Sequence, residues 1–295
     1  MILLKGYRMG LYHKLKSRLK SRLFSLFGET AYLHFFLKKP RVKDVDALEE
    51  LRSKNFQYQY AYELDLLGGD FPRPRYENVL VADDILKSLR KNSFLKDNDI
   101  TLCEVAPLDG YITWRLSGYR GLKLFAIEYL RDNCSKIKLA SDVFDYNISV
   151  YCAAVQNWQE RKFNIITMLG VTYQLPDPLN VIRHVLKNLI VGGGVYYVDF
   201  IFPNERFCRP HFSAIANVTE EGYCGVKYTI STNSKRREGI KMLNRPPESD
   251  VTILYTNTEF EHFINDEFSS MNVTVLSKKT SQDYGFEWYT YKINC

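Results

Sequence analysis

The sequence has no hydrophobic run of the length that a membrane-spanning helix needs, which is about 18 residues or more. Its longest apolar stretch, Leu189 to Phe202, is interrupted by three consecutive glycines and is more typical of a buried strand. A cleavable signal is not visible either, because positive charges follow the apolar start, Met1 to Leu4, rather than precede it. We therefore expect a cytoplasmic protein.

The sequence also lacks the patterns of a metal site. Its six cysteines are scattered, with no Cys-x-x-Cys pair and no Cys/His spacing typical of zinc, and no acidic cluster indicates another metal. Isolated cysteines in apolar runs usually act as small core residues, which fits a reducing compartment. The sequence thus predicts no metal and gives no support to a disulfide scaffold.

Positive charge is concentrated at the N-terminus. Residues 1–43 contain eleven lysines or arginines and one acidic residue, which gives this segment a net charge of +10. The whole chain has a net charge of +6, so the remaining residues together carry −4. A basic isoelectric point therefore does not by itself indicate nucleic-acid binding. The segment also repeats apolar residues every four positions, which predicts a basic amphipathic helix; these residues are Leu11, Leu15, Leu19, Leu23 and Phe27.

Such a helix can lie on an anionic membrane surface or bind a protein partner. It can equally pack on its own domain with its cations solvated. If the helix binds an anionic membrane, the protein is expected to lie at the inner face of that membrane as a peripheral protein. Residues 44–98 follow as a helical lead-in or lid.

From residue 99 onward, short apolar strands alternate with helical patterns, which predicts a mainly parallel sheet with helices on both faces. The predicted strands are Ile100 to Val105, Leu122 to Ile127, Ile137 to Ala140, Asn164 to Leu169, Gly194 to Phe202, Val273 to Ser277 and Glu287 to Ile293. Ligands of such folds bind at the carboxyl ends of the strands. Glu128 follows the second strand, 24 positions after Glu104 at the end of the first, and is placed to accept hydrogen bonds from ribose hydroxyls.

The residues after the fourth strand carry a family resemblance. They read Gly170-Val171-Thr172-Tyr173-Gln174-Leu175-Pro176-Asp177-Pro178, and the upstream lead-in reads Tyr60-Ala61-Tyr62-Glu63-Leu64-Asp65-Leu66-Leu67-Gly68-Gly69. Both passages resemble class I S-adenosylmethionine-dependent methyltransferases, the lead-in especially relatives that modify the tRNA wobble uridine. The resemblance covers residues 58 to 202 well and continues weakly to the end.

The resemblance implies an α/β, Rossmann-like, mainly parallel seven-stranded sheet with helices on both faces, a final antiparallel strand and an N-terminal helical extension. It implies residues 99–295 as the methyltransferase domain, with a substrate-side insertion over residues 203–250. The implied cofactor is S-adenosylmethionine (SAM). Its implied contacts are Glu104 at the methionine end, Ala106 and Gly110 in the loop, Glu128 and Tyr129 at the ribose, Asp142 and Val143 at the adenine, and Met168, Leu169 and Gly170 beneath the sulfonium.

The sequence departs from the family's first motif, acid-x-Gly-x-Gly-x-Gly. Ala106 and Leu108 stand at the first two glycine positions, and only Gly110 is retained. A bulky Leu108 means either that the loop takes another path or that the site has lost its cofactor. Gln174 also replaces a usual histidine.

Methyl transfer to a hydroxyl needs alignment of the nucleophile with the methyl group and removal of a proton. His211 lies in the insertion and is a candidate base, or else a surface histidine; Tyr173 is the other candidate. Tyr173 and Gln174 either face the substrate or cover the end of the sheet. Arg206 and Arg209, among aromatic residues of the insertion, can hold an anionic, sugar-like or nucleotide-linked substrate, or lie in a solvated loop.

Together these features predict a SAM-dependent methyltransferase that methylates a hydroxyl of a small molecule or glycan. Two alternatives stay open at this stage. One is an RNA-modifying methyltransferase, for which a nucleic-acid partner is expected. The other is a catalytically inactive methyltransferase fold that serves as a scaffold or regulator.

Overall fold

The computed structural model describes residues 46, 50–51, 56–58, 68–71, 76–91, 100–108, 110–117, 119, 121–207, 212–230 and 251–295. The amphipathic helix predicted within residues 1–43, and the candidates Arg209 and His211, lie outside the described residues. Within the described ranges, no helix is long and apolar enough to cross a membrane.

From β3 to β7 the described elements alternate strands with helices or helical turns, as the sequence predicts. The strands are β1 Phe56–Tyr58, β2 Gly68–Phe71, β3 Ile100–Val105, β4 Leu122–Glu128, β5 Ile148–Cys152, β6 Phe163–Met168, β7 Ile190–Pro203, β8 Phe212–Glu220, β9 Tyr223–Ile230, β10 Val251–Tyr255, β11 Asn272–Ser281 and β12 Phe286–Asn294. The α-helices are α1 Tyr76–Lys91, α2 Tyr111–Leu116, α3 Arg131–Phe144, α4 Pro178–His184 and α5 Asn257–Phe268. A π-helical turn, Val185–Leu189, extends α4.

The central sheet has seven strands in the order β11-β12-β7-β6-β3-β4-β5. The pairs among β3 to β7 are parallel, and β12 is antiparallel to both β7 and β11. The predicted mainly parallel seven-stranded sheet with a final antiparallel strand is therefore confirmed.

Alternation of side chains along the strands divides the core into two layers. One layer packs α1 and α2 on the sheet through buried residues such as Ile85, Leu102 and Tyr197. The opposite layer packs α4 and α5 through residues such as Ile182 and Phe260. Helices thus cover both faces, and only the strand ends and loops remain for a binding site.

The third predicted strand is wrong. Ile137 to Ala140 lies in the middle of α3, where Ile137, Ala140 and Phe144 are buried at helical spacing. The third strand of the domain is instead β5, Ile148–Cys152, which pairs with β4. A short apolar run does not distinguish a buried helix face from a strand, and that ambiguity caused the error.

The three glycines of the longest apolar stretch lie inside β7. The N-cap of α5 is Thr256, whose hydroxyl accepts a hydrogen bond from Glu259 N at 3.2 Å. Thr256 and Glu259 have the three-residue spacing of a capping box, which is typical of a helix start.

The predicted substrate-side insertion, residues 203–250, contributes strands to a second sheet. This antiparallel sheet has three strands in the order β10-β9-β8. It joins the segment after β6 through Thr252 Oγ1, which donates to Leu175 O at 2.7 Å, and Ile253 N, which donates to Pro176 O at 3.2 Å. The second sheet is therefore fixed beside the carboxyl ends of the central strands.

Candidate active site

Two buried carboxylates lie at the carboxyl ends of the neighbouring strands β3 and β4. Glu104 is 5% exposed and Glu128 is 3% exposed. Parallel pairing of Val105 with Ile127 brings the two strand ends to the same edge. The carboxyl edge of a parallel sheet is where ligands bind in such folds, so both side chains stand where the sequence placed them.

Glu128 connects the loops that follow both strands. Its Oε2 accepts a hydrogen bond from Leu108 N at 3.0 Å, and its Oε1 accepts one from Leu130 N at 2.9 Å. Burial raises the pKa of Glu128 above its ordinary value, although these backbone donors oppose the shift. Each carboxylate oxygen has a further lone pair, so Glu128 retains capacity to accept from ligand hydroxyls.

Glu104 holds the start of α2. Its carboxylate accepts hydrogen bonds from Thr113 N at 2.8 Å, Thr113 Oγ1 at 2.8 Å and Ile112 N at 3.3 Å. Burial nevertheless raises the pKa of Glu104 to about 7, with a further contribution from the charge of Glu128. The group therefore titrates near neutrality and responds to any charge that binds beside it.

The loop after β3 retains a left-handed backbone despite its altered sequence. The φ angles are 50° at Ala106, 60° at Leu108 and 81° at Gly110. Left-handed φ favours glycine and costs other residues about 1–2 kcal/mol each, and such strain is concentrated at functional sites. Ala106 and Leu108, which stand where the motif has glycine, thus have the positive φ that glycine would adopt.

Gly110 is retained for a packing reason as well. A Cβ at this position would lie 3.2 Å from both Thr113 Oγ1 and Trp114 Nε1. Thr113 is the residue that binds Glu104, so a side chain at position 110 would disturb the start of α2. The absence of a side chain at Gly110 therefore leaves room for the hydrogen bond between Thr113 and Glu104.

The turn after β6 is fixed by a buried aspartate. Asp199 is fully buried in β7, and both of its carboxylate oxygens accept from Gly170 N, at 2.7 and 2.8 Å. Thr172 Oγ1 donates to Asp199 O at 2.6 Å, and Gln174 Nε2 donates to Gly170 O at 3.2 Å. Gln174 thus closes this turn at the carboxyl edge.

Asp199 also holds Trp288 of β12, whose indole Nε1 donates to Asp199 Oδ2 at 3.0 Å. The Tyr173 ring contacts Trp288 edge-on, with 5.7 Å between the ring centroids. Sequence reasoning missed Asp199 and Trp288. A lone acidic residue within the apolar run of β7 was the available signal, because buried carboxylates occur where they have donors.

Several predicted site residues lie elsewhere. The helix α3 begins at the carboxyl edge after β4 and runs back along the sheet, so Asp142 and Val143 lie near the start of β5 at the other edge. Val143 is fully buried there. Met168 ends β6 at the carboxyl edge, but its side chain is fully buried in the α4/α5 layer. Asp142 and Val143 therefore lie away from the carboxyl edge, where the adenine contacts were expected, because that expectation depended on the wrong strand. Ala153 is the residue that directly follows β5, the third strand.

The other predicted residues remain at the carboxyl edge. Tyr129, directly after Glu128, is 43% exposed, and Leu169 is half-buried before Gly170. Arg206 is exposed in the turn that follows β7. Tyr129 thus lies next to Glu128, and Leu169 and Gly170 follow β6, the strand that pairs with β3. Arg206 lies beside the last strands.

The site residues fit a nucleoside cofactor with a cationic end. Thr167 Oγ1 is buried and has no hydrogen-bond partner among the described residues, and Thr167 pairs in register with Glu104. A buried hydroxyl without a partner indicates a place for a ligand or an ordered water. Glu128 offers acceptors for sugar hydroxyls, and Glu104 offers a negative charge. No group of three or more metal-ligating side chains occurs in the described part of the chain.

Comparisons with known proteins identify the fold. No family model and no curated protein matches the sequence. Among solved structures, the chain is similar to the N-terminal domain of EvdMO1 crystallised in the presence of SAH and D-fucose, with a TM-score of 0.60 and 12% identity over 85% of this chain and 94% of that chain. The same domain with SAH bound gives a TM-score of 0.53 and 13% identity over 72% of this chain and 80% of that chain.

Another similar structure is an S-adenosylmethionine-dependent methyltransferase from Clostridium acetobutylicum ATCC 824, with a TM-score of 0.46 and 15% identity over 74% of this chain and 92% of that chain. The strand order and the likeness to EvdMO1 identify the fold. The chain has the class I S-adenosylmethionine-dependent methyltransferase fold, as the sequence resemblance implied.

Proposed function

We propose that the protein is a SAM-dependent methyltransferase that methylates a hydroxyl group of a small or glycan-type sugar acceptor. The observation that carries the proposal is the pair of buried carboxylates, Glu104 and Glu128, joined by a loop that keeps left-handed φ at Ala106 and Leu108. A scaffold without a ligand has no need to retain a strained loop and two buried acidic groups, since both cost stability.

The chain's own residues bind and orient the cofactor in this proposal. SAM supplies a methyl group on a sulfonium, which is open to in-line displacement. Glu128 would accept hydrogen bonds from the ribose hydroxyls, Glu104 would attract the α-ammonium group of the methionine end, and the Gly170 turn would border the reacting centre. Tyr173 lies beside Trp288 at the same edge, where it can position the acceptor hydroxyl. His211 remains the candidate base in the undescribed part of the insertion.

The acceptor class is supported by the comparison with EvdMO1. That domain was crystallised in the presence of SAH and D-fucose, a neutral sugar. The body of the present chain is mildly acidic, which does not favour a polyanionic acceptor such as RNA. A sugar hydroxyl is therefore preferred over a tRNA base.

Transfer of a labelled methyl group from SAM tests the proposal. The purified full chain is incubated with neutral sugars, anionic sugars and bulk tRNA, and products are analysed by mass spectrometry. Label on a sugar hydroxyl is expected, and its loss in Glu128→Gln links transfer to the cofactor site. Label on tRNA alone would favour the RNA-modifying enzyme, and no label despite SAM binding would favour the scaffold.

The N-terminal segment supports a second part of the proposal, that the enzyme is a cytoplasmic protein held at the inner face of a membrane. Residues 1–43 carry +10 and a leucine repeat typical of helices on anionic lipid. Co-sedimentation with anionic and with neutral vesicles measures this attachment. We expect binding that requires anionic lipid and that disappears when residues 1–43 are deleted. Equal co-sedimentation of the full-length and the truncated protein would contradict this part of the proposal.

A further inference from the structure

A cleft at the hairpin between β11 and β12 lies at the same edge of the sheet as the cofactor site. We name it the hairpin cleft; it has a volume of about 530 Å³ and is lined by Lys279, Thr280, Ser281, Gln282, Asp283, Phe286 and Trp288. Phe286 pairs with Pro203 at the carboxyl end of β7. The cleft therefore opens where the substrate side of this fold is expected.

Trp288 connects the hairpin cleft to the turn beneath the reacting centre. Its indole N–H binds Asp199 Oδ2, and the same oxygen accepts from Gly170 N. Two hydrogen bonds thus separate the cleft wall from the Gly170 turn. With its indole held by Asp199 and by the Tyr173 ring, Trp288 presents a fixed aromatic surface.

The residues that line the hairpin cleft carry one positive and one negative charge, those of Lys279 and Asp283. Lys279 also forms an ion pair with Glu77 of α1 at 2.5 Å. An anionic ligand would find no excess of positive charge among these lining residues. Ser281, Thr280 and Gln282 offer hydroxyl and amide groups, which can bind neutral hydroxyls.

We propose that the hairpin cleft is the acceptor subsite and that it binds a neutral hexose-type ring, with the ring's C–H face on Trp288 and its hydroxyls on the polar residues of the hairpin. This inference rests on the proposed function and assigns its acceptor a place. The C–H groups of a sugar face carry partial positive charge, which matches the negative face of an aromatic ring. Five of the seven lining residues are polar and two are aromatic, a composition that suits a hydroxyl-rich ring with one apolar face.

Binding of neutral sugars to the full chain saturated with SAH tests the subsite without any turnover. Saturation-transfer NMR compares D-fucose, D-galactose and L-rhamnose with the anionic probes D-glucuronate and glucose 6-phosphate. The test variants are Trp288→Ala, Trp288→Phe and Gln282→Ala. Lys278→Gln is the matched control, since Lys278 is a neighbour of Lys279 whose partners Glu287 and Tyr289 face away from the cleft.

We expect at least one neutral sugar to bind, with an affinity reduced at least about tenfold by Trp288→Ala and less by Trp288→Phe, while SAH affinity stays within about twofold. Lys278→Gln should change neither affinity. Neutral sugar binding that Trp288→Ala and Gln282→Ala leave unchanged, preference for the anionic probes, or no sugar binding to the SAH-loaded protein would each overturn the subsite alone. Failure of SAH itself to bind would overturn the proposed function and this inference with it.

Discussion

At the scale of single residues, Glu104 is the group whose ionisation determines how the site behaves near neutral pH. Burial outweighs three hydrogen bonds and raises its pKa to about 7. In the free protein the carboxyl is therefore protonated below neutrality. A cationic ligand beside it favours the ionised form and lowers its pKa, so ligand binding and proton release are linked.

The affinity for SAM should consequently rise with pH. Below about pH 7 the ligand must displace a proton from Glu104, and the affinity falls by up to about tenfold per pH unit. Above the pKa of the free protein the dependence should disappear. Calorimetric titrations with SAM between about pH 5.5 and about pH 8.5, in buffers of different ionisation enthalpy, measure both the affinity and the protons released.

Glu104→Gln is the variant that isolates this effect, because the amide keeps the shape but has no titratable group. It should bind SAM more weakly at high pH and show no pH dependence in this range. A wild-type affinity that is constant between about pH 5.5 and about pH 8.5 would contradict the assignment of Glu104 to the cationic end.

The strained loop leads to a second prediction at this scale. Ala106→Gly and Leu108→Gly should keep cofactor binding and raise the free energy of unfolding by up to about 1 kcal/mol each. Relief of left-handed strain exceeds the entropy that glycine adds to the unfolded chain. Leu108→Val, a β-branched residue at φ 60°, should lower stability instead.

Urea unfolding and SAH titration of the three loop variants measure these effects. Ala153→Gly is the control, since Ala153 has no positive φ and glycine there should destabilise. If Leu108→Gly abolished binding in a folded protein, the Leu108 side chain rather than the backbone conformation would be the feature that the site needs.

At the scale of elements, one carboxylate fastens helix α1 to the sheet. Asp84 Oδ2 accepts hydrogen bonds from Tyr197 Oη and Lys292 Nζ, both at 2.7 Å. Burial raises the pKa of Asp84, but the bonds from Lys292 and Tyr197 outweigh it, and the net shift is downward. Through Glu77, the same helix also reaches Lys279 in the hairpin cleft.

Asp84→Asn should lower the free energy of unfolding by about 1 kcal/mol at neutral pH, because the ion pair is partly exposed. A carboxyl with a lowered pKa stabilises the fold above its unfolded-state pKa, and this contribution is lost as pH falls through the folded-state value. The difference between wild type and variant should therefore shrink in acid. Urea titrations at neutral and acidic pH measure it, with the exposed Lys138→Gln as control; a difference independent of pH would contradict the account.

The contact between the β6 turn and β12 leads to a prediction of the same kind. Asp199→Asn would direct one amide N–H toward the Gly170 or Trp288 donor and should destabilise the protein by about 2 kcal/mol. The indole fluorescence of Trp288 should also change. Asp145→Asn is the matched control, since asparagine tolerates the left-handed backbone at that exposed position. Equal stability of the two variants would show that Asp199 is not the connection between the turn and the hairpin.

At the scale of the whole molecule, the sequence predicted the features that depend on local pattern. Strand ends after apolar runs located Glu104, Glu128 and Gly170, because parallel strands bring their carboxyl ends together. The strand β5 was missed because α3 buries an apolar face that also reads as a short strand. Asp142 was misplaced as a direct result.

Contacts between distant segments were beyond the sequence pattern. Trp288 reaches Asp199 across 89 positions, and Lys292 reaches Asp84 across 208. No local sequence pattern predicts either contact, because both form only when the last hairpin packs beside β7. The left-handed φ at Leu108 could not be predicted from the sequence either, because leucine rarely adopts a positive φ.

The central claim is that the ends of β3 and β4 bind SAM. Calorimetric titration of the purified full chain with SAM and SAH, beside Glu128→Gln, tests it most directly, and circular dichroism confirms that the variant is folded. We predict micromolar binding of both ligands by the wild type and at least about tenfold weaker binding by the variant. A folded wild-type protein that binds neither ligand at millimolar concentration would contradict the claim.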